Sequence, residues 1–89
     1  MAGQNVDTEA LMQAARALGA YISEVNSNIL KMSDAALDCS DNMGSDKLSE
    51  QAIEQLNTSI KDLRKAMADA EALKARLLRQ AKIIEEQNL

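Results

Sequence analysis

The sequence predicts an all-α fold, an antiparallel hairpin of two long helices, and three observations carry that prediction. First, the apolar residues from Leu11 to Met43 climb a ladder with alternating steps of four and three: Leu11, Ala15, Leu18, Ile22, Val25, Ile29, Met32, Ala36, Cys39 and Met43. A period of about 3.5 residues, held over successive heptads, marks a helix that zips along one seam to another helix. Second, the chain is rich in Ala, Leu, Glu, Lys, Gln and Arg and has no proline to interrupt a helix. That is the composition of long helices. Third, there is one strong break, the polar segment from Ser40 to Asp46 with Gly44 inside it.

Taken in order, Met1–Val6 is small and polar and reads as a frayed end. Asp7 suits the N-cap of the first helix, with Val6 and Leu11 at the two positions of a hydrophobic staple. The first helix is expected from about Thr8 to about Asp41. On a heptad frame Ala15, Ile22, Ile29, Ala36 and Met43 take position a, and Leu11, Leu18, Val25, Met32 and Cys39 take d. Arg16, Glu24, Lys31, Asp34 and Asp38 point outward.

The turn is expected over residues 42–46. Gly44 suits the left-handed C-terminal cap, and Ser45 or Asp46 can cap the next helix. So short a connection folds the two helices back on each other. The second helix is expected from about Lys47 to about Glu86. Its seam reads Ile53, Leu56, Ile60, Leu63, Met67, Ala70, Lys74, Leu77, Ala81 and Ile84, with Lys74 breaking the apolar run. Leu73 and Leu78 widen the stripe on either side of Leu77, as happens when a straight helix drifts about 20° per heptad against the seam.

Several large apolar residues fall off the ladder: Leu30 and Leu37 on the first helix, Leu73, Leu78 and Ile83 on the second. A hairpin buries one stripe per helix, and a chain of 89 residues has a poor ratio of interior to surface. Chains this small usually need a disulfide, a metal or an oligomer. With one cysteine and no histidine, an internal disulfide and a histidine-bearing zinc site are both closed. The second stripe therefore reads as a docking surface, completing a four-helix bundle by dimerisation or with a helical partner.

The charges narrow the function classes. Residues 1–44 carry six acids against Arg16 and Lys31, whereas residues 45–89 balance eight acids with eight bases. An acidic chain with one aromatic lacks the basic, stacking face of a nucleic-acid binder. No apolar run reaches the ~20 residues that span a bilayer, and no charged-then-apolar N-terminal segment suggests a cleaved signal. The chain is expected in the cytoplasm, and any export is expected to bypass a signal peptide. Lys61, Arg64, Lys65, Lys74, Arg76, Arg79 and Lys82 outnumber the acids between them and read as a solvated face, or as a dock for an acidic helix such as the first helix of another copy.

Motifs for chemistry are lacking. Cys39 sits on the seam with no histidine or second cysteine to activate or pair with it, so it reads as packing, with an intermolecular disulfide as the alternative. Met32, Met43 and Met67 read as core. The Glu50–Glu54 pair has no metal-binding companion, and Asn26, Asn28 and Ser33 flank the seam, where a polar group either fixes register or faces solvent. No catalytic residue, cofactor, metal or small-molecule substrate is expected. A non-enzymatic protein-interaction module is.

Three features together resemble the Trp-X-Gly helical-hairpin family, the early-secreted-antigen-like substrates and partners of type VII secretion. They are the length near ninety residues in two helices, the opening Val6-Asp7-Thr8-Glu9-Ala10-Leu11, and the mid-chain Asn42-Met43-Gly44 followed by Leu48 and Ala52. Asn42 stands where the family has its Trp. The family's C-terminal signal, a Tyr followed four residues later by an acid, has no counterpart, since Ala81–Glu85 and Lys82–Glu86 keep only the spacing. The resemblance implies a signal-less partner that is co-exported with a sister hairpin or with a larger helical effector such as an LXG-type toxin. Its docking face would be Leu30, Leu37, Leu73 and Leu78. Two other readings rest on the helices alone: a cytosolic chaperone or adaptor for an amphipathic client helix, and a self-associating coiled-coil assembly element.

Overall fold

The ladder becomes a closed seam. In the computed structural model, which describes the backbone of residues 2–42 and 46–87 and the side chains of residues 8–41 and 46–87, α1 spans Ala2–Asn42 and α2 spans Lys47–Gln87. The two pack as a hairpin. Each is 41 residues long, about 60 Å at 1.5 Å per residue. Every described rung of both ladders, Leu11 through Cys39 and Ile53 through Ile84, is buried or half-buried. The outward residues Arg16, Glu24, Lys31, Asp34 and Asp38 are exposed. Met43, Gly44 and Ser45, and with them the expected Gly44 cap, lie outside the described residues, as does the side chain of Asn42.

One boundary differs from the sequence reading. α1 begins at Ala2 rather than at Thr8, so Asp7 lies inside the helix and is not its N-cap, and Val6 and Leu11 do not staple a helix start. Once the packed part of a helix exists, extension adds a hydrogen bond for each residue fixed. Nothing between Ala2 and Val6 stops it: there is no proline, and the one glycine, Gly3, costs only about 1 kcal/mol.

The chain divides into two packed units, each using a stretch of both helices. In Glu24–Met67, the connection half, Val25, Ile29 and Ile60 form a buried cluster, with Met32, Leu63 and Met67 packed against it. In Met1–Ser23 with Ala68–Leu89, the terminal half, the buried apolar residues among those described are alanines: Ala15, Ala70 and Ala81. Branched side chains bury more area than a methyl group, so the connection half has the greater hydrophobic stabilisation from its buried core.

The start of α2 is fixed by Asp46. Its Oδ1 accepts a hydrogen bond from the Ser49 backbone N–H at 2.7 Å, and its carbonyl accepts the first helical bond from the Glu50 N–H at 3.1 Å. This is the N-cap arrangement, in which a side-chain oxygen satisfies an N–H that the helix itself cannot. Ser49 is fully buried at the seam position that precedes Ile53 by four, and its hydroxyl also bonds to the Asp46 carboxylate. The Ser49 N–H, the Ser49 hydroxyl and the Leu48 N–H together hold the Asp46 carboxyl below its ordinary value. A depressed folded-state value means that the cap's contribution is complete above the unfolded pKa. It is lost as pH falls through the folded one, below about pH 4. We therefore expect the helical signal of the wild type to fall more steeply than that of Asp46→Asn as the pH drops below about 4, because asparagine caps without titrating. Superimposable acid profiles in far-UV circular dichroism would remove Asp46 as the source.

Lys74, the charged rung of the seam, is accommodated by a glycine. A Cβ placed on Gly19 would stand 3.1 Å from Lys74 Nζ and 3.7 Å from its Cε. The half-buried Lys74 side chain therefore crosses α1 over Gly19, which lets an aliphatic stem stay in the seam while the ammonium reaches outward. The crowding atom is the far end of a flexible chain and can move aside. Gly19→Ala is accordingly expected to stabilise the hairpin by about 0.5–1 kcal/mol, the ordinary gain at a helix interior. A thermal melt checks this, and a fall in melting temperature would show that the Lys74 position is fixed.

Candidate interaction surface

With the seam closed, the off-ladder residues stay outside. Leu30 and Leu37 are 60% and 62% exposed, against 4% for Ile29 beside them. Leu73, Leu78 and Ile83 are 39–47% exposed. All five residues singled out as interface candidates thus lie on the surface of the single hairpin. Two more large side chains join them that the ladder did not mark, Leu48 at 75% and Tyr21 at 42% exposed.

Each half has its own set of them. Leu30 and Leu37 are seven residues apart, which places them within about 20° of each other on the helix. In the connection half Leu37 borders a groove with Ser33, Ala36 and Ser40 of α1 and Ile53, Asn57 and Ile60 of α2. The floor of that groove is seam; its borders are small and polar. In the terminal half Leu78 borders a second groove with Gly19, Ile22, Glu71, Lys74 and Ala75. Leu73 is five residues before Leu78, about 140° away around the axis at 3.6 residues per turn. The two therefore flank the seam on opposite sides within this half.

Each patch has its own charge border. Asp34 and Asp41 follow Leu30 and Leu37 by four residues, the spacing that sets side chains next to each other on a helix. Lys74 and Lys82 stand four residues before and after Leu78, and Arg16 is three residues before Gly19. Asp34, Asp41, Lys82 and Arg16 are all exposed.

The remaining sequence candidates are placed as follows. Cys39 is a half-buried free thiol on the seam. Met32 and Met67 pack against the buried cluster, and Met43 lies outside the described residues. Glu50 and Glu54 are exposed and border a shallow surface groove with Ile53, Asn57, Thr58 and Lys61. Among the described residues, no group of three or more His, Cys, Asp or Glu could hold a metal ion, and no helix is long and apolar enough to cross a membrane. No protein family, characterised protein or solved structure matches the chain.

Proposed function

We propose that the chain is a non-enzymatic docking hairpin, a small helical partner in a type VII secretion system that binds a sister hairpin or a helical effector. One observation carries the docking part. The seam is closed, and yet Leu30 and Leu37 remain mostly exposed beside a groove with an apolar floor. A helix laid into such a groove would cover them, as an amphipathic helix does when it supplies its apolar face to a partner. The secretion setting rests on the resemblance in the Val6–Leu11 opening and in the mid-chain Gly44. A four-helix assembly would give the leucines the cover that one hairpin lacks. The opposite charge borders of the two patches favour a second reading, in which self-association is itself the function.

The test is co-expression of the tagged chain with the helical protein encoded beside it. The expected result is co-purification that is lost in Leu30→Asp/Leu37→Asp, together with both proteins in the culture medium. Co-purification untouched by that double substitution rejects the docking surface. A complex retained wholly inside the cell rejects the export setting and leaves an adaptor.

A further inference from the structure

From the two charge borders we infer that the occupant of the Leu37 groove is the Leu78 groove of a second copy of this chain. The inference rests on the docking reading above and names the partner. The connection-half groove is bordered by Asp34 and Asp41 on α1. On α2, Glu54 and Lys61 flank Asn57 at minus three and plus four. Glu50 and Arg64 flank Ile53 and Ile60 in the same way, so four acids face two bases there. The terminal-half groove has Lys74 and Lys82 around Leu78 and Arg16 beside Gly19, with Glu71 as the acid in its lining. Three bases face one acid.

Each groove thus combines an uncovered leucine with a border of one prevailing sign, and the two signs are opposite. Contact between two connection-half grooves would put like charges together around buried leucines, which costs several-fold in affinity at each juxtaposition. Contact between unlike grooves pairs Asp34 and Asp41 with Arg16 and Lys82 while covering Leu37 and Leu78 from both sides. The small side chains bordering the first groove, Ser33, Ala36 and Ser40, leave space for an incoming leucine. In the second groove the Lys74 side chain lies over Gly19, so its charge is at the groove itself. Charge therefore selects the pairing, and apolar burial holds it.

A charge-swap experiment tests this on the full-length chain. One variant carries Asp34→Lys and Asp41→Lys; the other carries Arg16→Glu and Lys82→Glu. All four positions are exposed, so each variant keeps its seam, and the far-UV spectrum confirms it. The wild type should self-associate in sedimentation equilibrium, and more weakly as salt rises. Each variant alone should associate at least about tenfold more weakly. An equimolar mixture should recover the wild-type affinity, because every contact in a mixed pair joins opposite signs. Variants that self-associate like the wild type, or a mixture that stays dissociated, overturn the pairing. If the wild type is monomeric while Leu30→Asp/Leu37→Asp still abolishes capture of the co-expressed helical protein, the second-copy inference fails and the docking reading stands.

Discussion

Leu30→Asp combined with Leu37→Asp is expected to leave the chain as a single hairpin with a lower melting temperature that no longer depends on concentration. In an isolated hairpin these substitutions would do little, since both sites are about 60% exposed and exposed positions usually change stability by no more than about 0.5 kcal/mol. Covered by another helix, the same positions behave differently. The uncovered part of each leucine is worth about 1–2 kcal/mol when buried, and an aspartate placed there brings an unpaired charge into the contact. Two positions together are enough to dissociate a micromolar complex. The size of the effect is therefore diagnostic. A loss well beyond the surface range means that something covers the patch, and sedimentation equilibrium on the same samples shows whether it is another copy.

The second large effect is expected on the other side of the same helices. Ile60→Ala should cost about 2–4 kcal/mol, read as a shift of the urea midpoint with the slope unchanged. Ile60 is 7% exposed and belongs to the cluster with Val25 and Ile29, so removing its branched side chain leaves space that straight helices close poorly. Among the described residues of the terminal half, the buried apolar side chains are alanines, which supply little reserve. A small domain has a total stability of about 5 kcal/mol or somewhat more, so this single change takes a large fraction of it. A midpoint shift no larger than that of an exposed substitution such as Ser59→Ala would mean that the Val25–Ile29–Ile60 cluster is not the core.

The seam was legible in the sequence because a helix that buries one side writes its period into the apolar residues. Every described rung, including the irregular Lys74, is buried or half-buried. The cap at Asp46 was legible for a similar reason: a short acid after a glycine, just before a helix-forming run, has few other uses. What the ladder missed follows from what a ladder counts. Ser49 continues the seam one step before Ile53, but a serine is not apolar; its burial becomes possible because Asp46 satisfies it. The start of α1 at Ala2 rather than Thr8 was hidden because Asp7 is a good capping residue but does not stop a helix, and no proline precedes it. The Gly19–Lys74 crossing depends on how residues 55 apart in the chain align, which local spacing cannot supply.

The candidate surface was legible in identity but not in arrangement. Leu30, Leu37, Leu73, Leu78 and Ile83 were visible as residues the seam does not use, and all five are exposed. Their grouping within each half follows from the helical angle between Leu73 and Leu78 and from the residues that border the Leu37 and Leu78 grooves. Leu48 and Tyr21 were not marked as surface candidates, because a seam pattern ranks only the residues that keep its period.

On the proposed reading each helix has two tasks: its ladder closes the hairpin, and the leucines beside it dock a second copy. The concentration dependence of the wild-type melting temperature, followed by circular dichroism at 222 nm beside that of Leu30→Asp/Leu37→Asp, tests this most directly. Association that favours the folded chain makes the melting temperature rise with concentration. The account predicts a rise for the wild type and a flat, lower line for the variant. Two flat lines that coincide would show that Leu30 and Leu37 bury nothing against another copy, and would contradict it.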